Sequence, residues 1–317
     1  MSSILNLIEG YMSGNAWEGL CVQCYHLRYQ EDNYTEIPAT HGGDAGIEGF
    51  TNKGIVHQCY CPEREYSDQD LYSHLRTKLT EDIDKLKNNG AKLRSLGVPP
   101  VVEWQFNIPD YRDSRILAHV EKKTQEIRRL KKSDPDNYQH IANDFCIVIK
   151  TAEDFAPEIS RIVRTNLTDL RLNLAFNHNE EIDWSTCDSE KVANIRRKIK
   201  VVVSSENGEV IDRLVSIYVN CYLSGIEVMN TLRVNFPEVY RDIFLLEQSY
   251  KRDVTIRTLM NTDNKMNKSL FNSILDDFHA KLERDFSKSF TEATIGELKQ
   301  DLVASWLADC SMEFRSE

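Results

Sequence analysis

No run of residues in this chain approaches the roughly 18 uninterrupted apolar positions that a membrane-spanning helix needs, which excludes an integral helical membrane protein. The opening stretch Met1–Glu9 has no basic n-region and meets an acid almost at once, so no secretory signal is expected. Positive charge is in deficit: 39 Lys and Arg stand against 50 Asp and Glu, for a net charge of −11, and both halves share the acidic excess. Coating nucleic acid by bulk electrostatics is thereby excluded; contact with DNA would need a local basic patch, or acids that work through a metal. There is no P-loop, no Ser-His-Asp pattern, no repeat and no low-complexity segment, and the eight histidines show no metal-ligand spacing. Eight cysteines without an export signal imply reduced thiols and a cytoplasmic protein.

What is present suits two domains. With 41% hydrophobic and 28% charged residues over 317 positions, the chain can bury two ordinary cores. The first half alternates helical and extended patterns. A helix is expected over 15–29, two short runs (45–50 and 54–60) form a hairpin around Asn52-Lys53-Gly54, and a long helix follows over 67–88. Strands over 101–108 and 145–150 then alternate with helices over 114–132 and 153–164. Strands separated by helices imply a partly parallel sheet with helices on its faces. From about 189 the pattern is helical throughout, with Leu270, Ile274, Phe278 and Leu282 as the clearest apolar stripe. The expected organisation is an α/β domain over 1–165, a linker over 166–188, and an all-α domain over 189–317.

A hairpin loop symmetric about Lys53 sets Glu48 opposite Gln58 and Phe50 opposite Val56. Opposed residues have Cβ atoms about 4.5–5.5 Å apart. Gln58 and Tyr60 then share one face, with His57, Cys59 and Cys61 behind it. On the next helix Asp82 falls inside the apolar stripe of Leu71, Leu75, Leu79, Ile83 and Leu86, and Lys78 on its edge. Burying lone charge is costly, so these two form either a mutual ion pair or a polar site between helix and sheet. Glu18, beside Trp17 in an apolar segment, is a third candidate.

The string Gly43-Asp44-Ala45-Gly46-Ile47-Glu48-Gly49-Phe50, followed by Gln58-Cys59-Tyr60 and preceded by a helix carrying Glu18, resembles the PD-(D/E)xK nuclease core, and its Mrr-like branch in particular. The longer run Gln58–Glu63 with Arg76–Ile83 is similar to nuclease subunits of bacterial antiphage defence systems such as Lamassu. The resemblance covers about residues 15–165. It implies a restriction-endonuclease-like mixed sheet and a metal-dependent DNA endonuclease using Mg²⁺ or Mn²⁺. Glu18, Glu48 and Asp44 would be the metal ligands, and Gln58 would occupy the third acidic position. Tyr60 stands where the family carries its lysine, and Lys78 is the residue that would replace it. The resemblance further implies an effector held in check within a complex: a homo-oligomer, or an assembly with an SMC-like or other ATPase subunit, docked through the helical domain.

Plainer readings stand beside these. Glu48 and Gln58 suit a solvated hairpin face, and Lys78–Asp82 a surface pair. The basic residues Lys122, Lys123, Arg128, Arg129, Lys131 and Lys132 suit either a solvated helix face or contact with a DNA backbone. Cys21-x-x-Cys24 with Cys59-x-Cys61 could supply four zinc thiolates, but buried core thiols are the favoured reading. The competing function is a catalytically inactive DNA-binding or scaffold subunit.

Overall fold

The computed structural model of the chain describes residues 4–10, 12–38, 45–174, 189–203, 207–309 and 311–314. Asp44 and most of the expected linker lie outside the described residues. The backbone divides into two units, one formed by residues up to Asn6 together with Gly10–Ile162, the other by Leu7–Glu9 together with the chain from Val163. Among the described residues no helix is long and apolar enough to cross a membrane.

In the first unit α1 spans Gly14–Arg28, and the Ser13 hydroxyl caps it by accepting the Ala16 amide at 3.2 Å. A five-stranded mixed sheet follows in the order β1 (Thr35–Glu36), β2 (Gly49–Phe50), β3 (Ile55–Cys59), β4 (Val101–Asn107), β5 (Ile141–Lys150). The first three strands run antiparallel, and β3, β4 and β5 are parallel. Phe50 pairs with Val56 and Gly49 with His57, the register expected of a loop centred on Lys53. The crossovers carry α2 (Asp68–Asn88), α3 (Gly90–Ser95) and α4 (Arg115–Ser133), and α5 (Ala156–Thr165) comes after β5.

Side-chain alternation sorts the sheet into unlike faces. Val56, Trp104, Phe106, Phe145 and Ile147 join Leu71, Leu75, Leu79, Ile83 and Leu86 of α2 and Ile116, Val120 and Ile127 of α4 in one apolar core. Under α1 lie His57, Cys59, Gln105 and Asn107, all buried. Trp17 donates its indole N–H to the Asn107 carbonyl at 3.1 Å, and the Tyr25 hydroxyl bonds the side chains of Gln105 and Asn107.

The second unit contains α6 (Ser189–Val203), α7 (Gly208–Asn235), α8 (Pro237–Met260), α9 (Asn267–Phe286) and α10 (Glu292–Ala308). The buried stripe of α9 starts one residue later than its sequence pattern implies, at Phe271 rather than Leu270, and continues through Ile274, Phe278, Leu282 and Phe286. Leu172 and Leu174, in the segment expected to be a linker, are buried, and Leu172 bridges to Ile8 and Phe290.

Gly46 enters the hairpin at φ +84°, and a Cβ there would meet the Asp82 carbonyl oxygen at 2.5 Å and the Leu86 amide nitrogen at 2.9 Å. Gly97 has nearly the same dihedral, φ +79°, but open space around it. Gly46→Ala should therefore cost about 2–4 kcal/mol, combining backbone strain with a clash against α2. Gly97→Ala should cost only about 1 kcal/mol, from strain alone. Urea titration of the two variants checks the ordering; equal losses would show that the approach to α2 is not rigid.

Candidate functional site

The site begins where β2 stops short of the end of β3. The Glu48 amide donates to the His57 carbonyl at 2.7 Å, and beyond that point the hairpin offers the Cys59 amide no backbone acceptor. The Glu48 carboxylate takes its place: Oε2 accepts from the Cys59 amide at 3.0 Å and Oε1 from Gln58 Nε2 at 2.7 Å. Glu48 and Gln58 are thus joined side by side, and both are buried, at 8% and 3% exposure. The other amide atom, Gln58 Oε1, is buried without a hydrogen-bond partner. Beside a carboxylate, such an acceptor suits a cation or a water molecule.

The remaining candidates fall into two groups. Glu18, half-buried on α1, lines a cleft of about 630 Å³ together with Cys59, Tyr60, Glu63, Tyr66 and His74. Burial, aided by the negative charges of Glu48 and Glu18, holds the Cys21 thiol protonated. Tyr60 lies parallel to Phe106, with ring centroids 6.5 Å apart, and burial raises its phenol pKa, so it remains a donor. Lys78 is turned to α2 itself: its ammonium straddles the two Asp82 oxygens at 2.9–3.0 Å, and Lys85 bonds the same carboxylate at 2.9 Å. Asp82 is fully buried, as its place in the apolar stripe implies, and the two lysines compensate its charge.

The basic helix is only partly available to a ligand. Arg128 donates to the carbonyls of Phe145 and Asp144 at 2.6 and 3.2 Å, and Lys123 pairs with Glu126 at 3.0 Å. Lys122 and Arg129 are exposed.

Sequence reasoning missed the polar cluster beneath α1. His57 Nε2 lies 2.7 Å from the Tyr34 hydroxyl, and the imidazole stacks on Tyr25 with ring centroids 3.9 Å apart. Its Nδ1 faces Cys59 Sγ at 3.7 Å, Glu48 Oε2 at 3.9 Å and Asn107 Nδ2 at 3.3 Å. One atom each from Glu48, His57 and Cys59 lie within 4.8 Å of one another, a grouping able to hold a metal ion. The signal was the His-x-Cys alternation on β3, which places both side chains opposite the Cys21 side of α1. No family model, curated protein or solved structure matches the chain.

Burial alone pushes the His57 pKa down to about 3. The imidazole is therefore neutral in the fold and protonated in the unfolded chain below the ordinary histidine range. The unfolded state binds the extra proton between about pH 6.5 and 3, so this contribution to stability is complete above that window and is lost as pH falls through it. With chelator present, His57→Gln should flatten the slope of unfolding free energy between pH 6 and 4 by about 1.4 kcal/mol per pH unit. An unchanged slope would show that His57 titrates normally.

Proposed function

We propose that the first unit is a metal-dependent DNA endonuclease of restriction-endonuclease-like fold. The observation that carries this reading is the Glu48–Gln58 pair at 2.7 Å on a β-ribbon, with Glu18 in the adjoining cleft. The element order supports it as well: a helix, three antiparallel strands, a crossover helix, and a fourth strand parallel to the third. The donor set fits a hard cation, because Glu48 and Glu18 supply carboxylate oxygens and Gln58 Oε1 is a buried acceptor without a partner. Mg²⁺ or Mn²⁺ held there would polarise a phosphodiester and ease ionisation of the attacking water.

The chain's own residues do the positioning. Gln58 and the Cys59 amide fix the carboxylate of Glu48 from two sides, so it does not reorganise when charge develops opposite it. The Tyr60 hydroxyl, still protonated at neutral pH, can donate to a phosphate oxygen in the cleft. Exposed Lys122 and Arg129 offer phosphate contacts, a modest basic surface in an acidic chain. The helical unit is the part we assign to assembly, with further copies of the chain or with an ATPase subunit of an antiphage complex. Exposed Ile217, Ile226, Leu245, Leu259 and Met260 favour such a role.

A second reading, a DNA-binding or scaffold subunit without catalysis, is favoured by one observation: Lys78 is committed to Asp82, and Tyr60 fills the family's lysine position. Incubation of the full chain, alone and with its partner subunits, with plasmid DNA and Mg²⁺ or Mn²⁺ separates the two. Nuclease action predicts metal-dependent nicking that Glu48→Ala reduces at least 100-fold, while DNA binding is retained. Binding without nicking under every condition supports the scaffold. Independently, Lys122→Ala with Arg129→Ala should weaken DNA binding and lower the slope of log affinity against log salt by about 1–2; an unaltered slope removes this helix from the interface.

A further inference from the structure

The polar cluster beneath α1 is richer than the nuclease reading requires. A hard-ion site uses oxygen, yet the groups gathered on the inner side of Glu48 are an imidazole and thiols. His57 Nδ1 stands 3.7 Å from Cys59 Sγ and 3.9 Å from Glu48 Oε2. In a tetrahedral zinc site with ordinary bond lengths, neighbouring ligand atoms of these types are about 3.4–3.6 Å apart. The two separations from the imidazole exceed such edges by about half an ångström or less, and one atom from each of the three groups lies within 4.8 Å of the others. A fourth corner is left for water, as in zinc sites with three protein ligands.

The surrounding groups set the ligands as a metal site does. The Tyr34 hydroxyl sits 2.7 Å from His57 Nε2. In the tautomer in which Nε2 donates its proton to the Tyr34 hydroxyl, the Nδ1 lone pair points toward Glu48 and Cys59. Asn107 Nδ2 lies 3.3 Å from that Nδ1 and 3.6 Å from Cys59 Sγ, and its Oδ1 is fixed by the Tyr25 hydroxyl at 3.1 Å. It can occupy the lone pair without metal and donate to the thiolate with metal. Gln58 and the Cys59 amide orient the carboxylate. Glu48, His57 and Cys59 are all buried, with Cys59 at the edge of the cleft that Glu18 lines.

We infer that Glu48, His57 and Cys59 supply three corners of a tetrahedral site for a soft divalent transition metal, with zinc the fitting ion and water completing its coordination. Loading transfers the Cys59 proton to solvent as one sulfur–metal bond forms; no oxidant or reductant takes part. One thiolate and one carboxylate balance the dication, and N–H donors from Asn107, Gln58 and the Cys59 main chain hold them in place. The inference goes beyond the nuclease reading and does not rest on it; the two share Glu48, whereas the His57 imidazole and the Cys59 thiol, on which the tests below turn, take no part in the nuclease reading.

Elemental analysis of the full chain, purified without chelator, should give one zinc per chain. After the metal is stripped, titration with Co²⁺ should produce a sulfur-to-cobalt charge-transfer band and the intense visible absorption of a tetrahedral ion. His57→Gln and Cys59→Ser should each weaken zinc at least tenfold in chelator competition, whereas His279→Gln on α9 should not. Zinc-free wild-type protein whose cobalt form lacks the sulfur band overturns the inference, and that readout needs no variant to fold. Wild-type affinity in both His57→Gln and Cys59→Ser overturns it equally. Neither readout involves DNA cleavage, so failure here and failure of the nuclease reading are separable.

Discussion

The first unit is organised around one unfinished strand pairing. β2 begins only at Gly49, opposite His57, while β3 continues to Cys59, and the Cys59 amide would be left buried without an acceptor if Glu48 did not turn its side chain back onto it. An unmet backbone donor costs about 1–3 kcal/mol, so the ladder itself holds this carboxylate in place. The arrangement also explains how a carboxylate can be almost wholly buried beside a neutral imidazole: two N–H groups donate to it, from the Cys59 main chain and the Gln58 side chain. The chemistry available to the site follows from which of those donors a ligand displaces.

The helical unit meets buried polarity differently, by closing helix ends and pairing side chains. Lys198, almost wholly buried, donates to the carbonyls of Trp306 and Asp309 at the end of α10, a favourable place for a cation. Trp306 donates to Glu247 at 3.0 Å, and Asp301, lifted to about 7 mainly by burial, bonds Ser224. These contacts tie α6, α7, α8 and α10 together inside one unit. They are polar fasteners in an apolar bundle, and none of them resembles a solvent-facing reaction site.

Much of this was legible in the chain. Asn52-Lys53-Gly54 fixes the hairpin register because the loop length leaves one pairing in which Phe50 meets Val56. The inward angle of Asp82 follows from helical geometry, and its burial with Lys78 is the expected response to a charge in an apolar stripe. What could not be read was the character of the second sheet face. Alternation placed His57 and Cys59 opposite Gln58, but β3 and β4 are buried on both sides, so no polar–apolar contrast marked Tyr25, Tyr34, Gln105 and Asn107 as a shared network. Its parts lie as much as 82 residues apart in sequence and meet only through tertiary structure. Lys78 shows the same limit from the other side: its angle was visible, whereas its choice of Asp82 over the hairpin depends on side-chain reach.

The parallel arrangement of β3, β4 and β5 carries a kinetic consequence. Each of those pairings must wait for a long crossover through α2 and α3, or through α4, to close, so the chain entropy is spent before the contacts reward it. The helices of the second unit are joined by short turns, as between Asn235 and Pro237, and meet neighbours that are close in sequence. Refolding should therefore run against the order of synthesis, the later-made bundle reaching its native packing in the faster phase and the earlier-made sheet in the slower one.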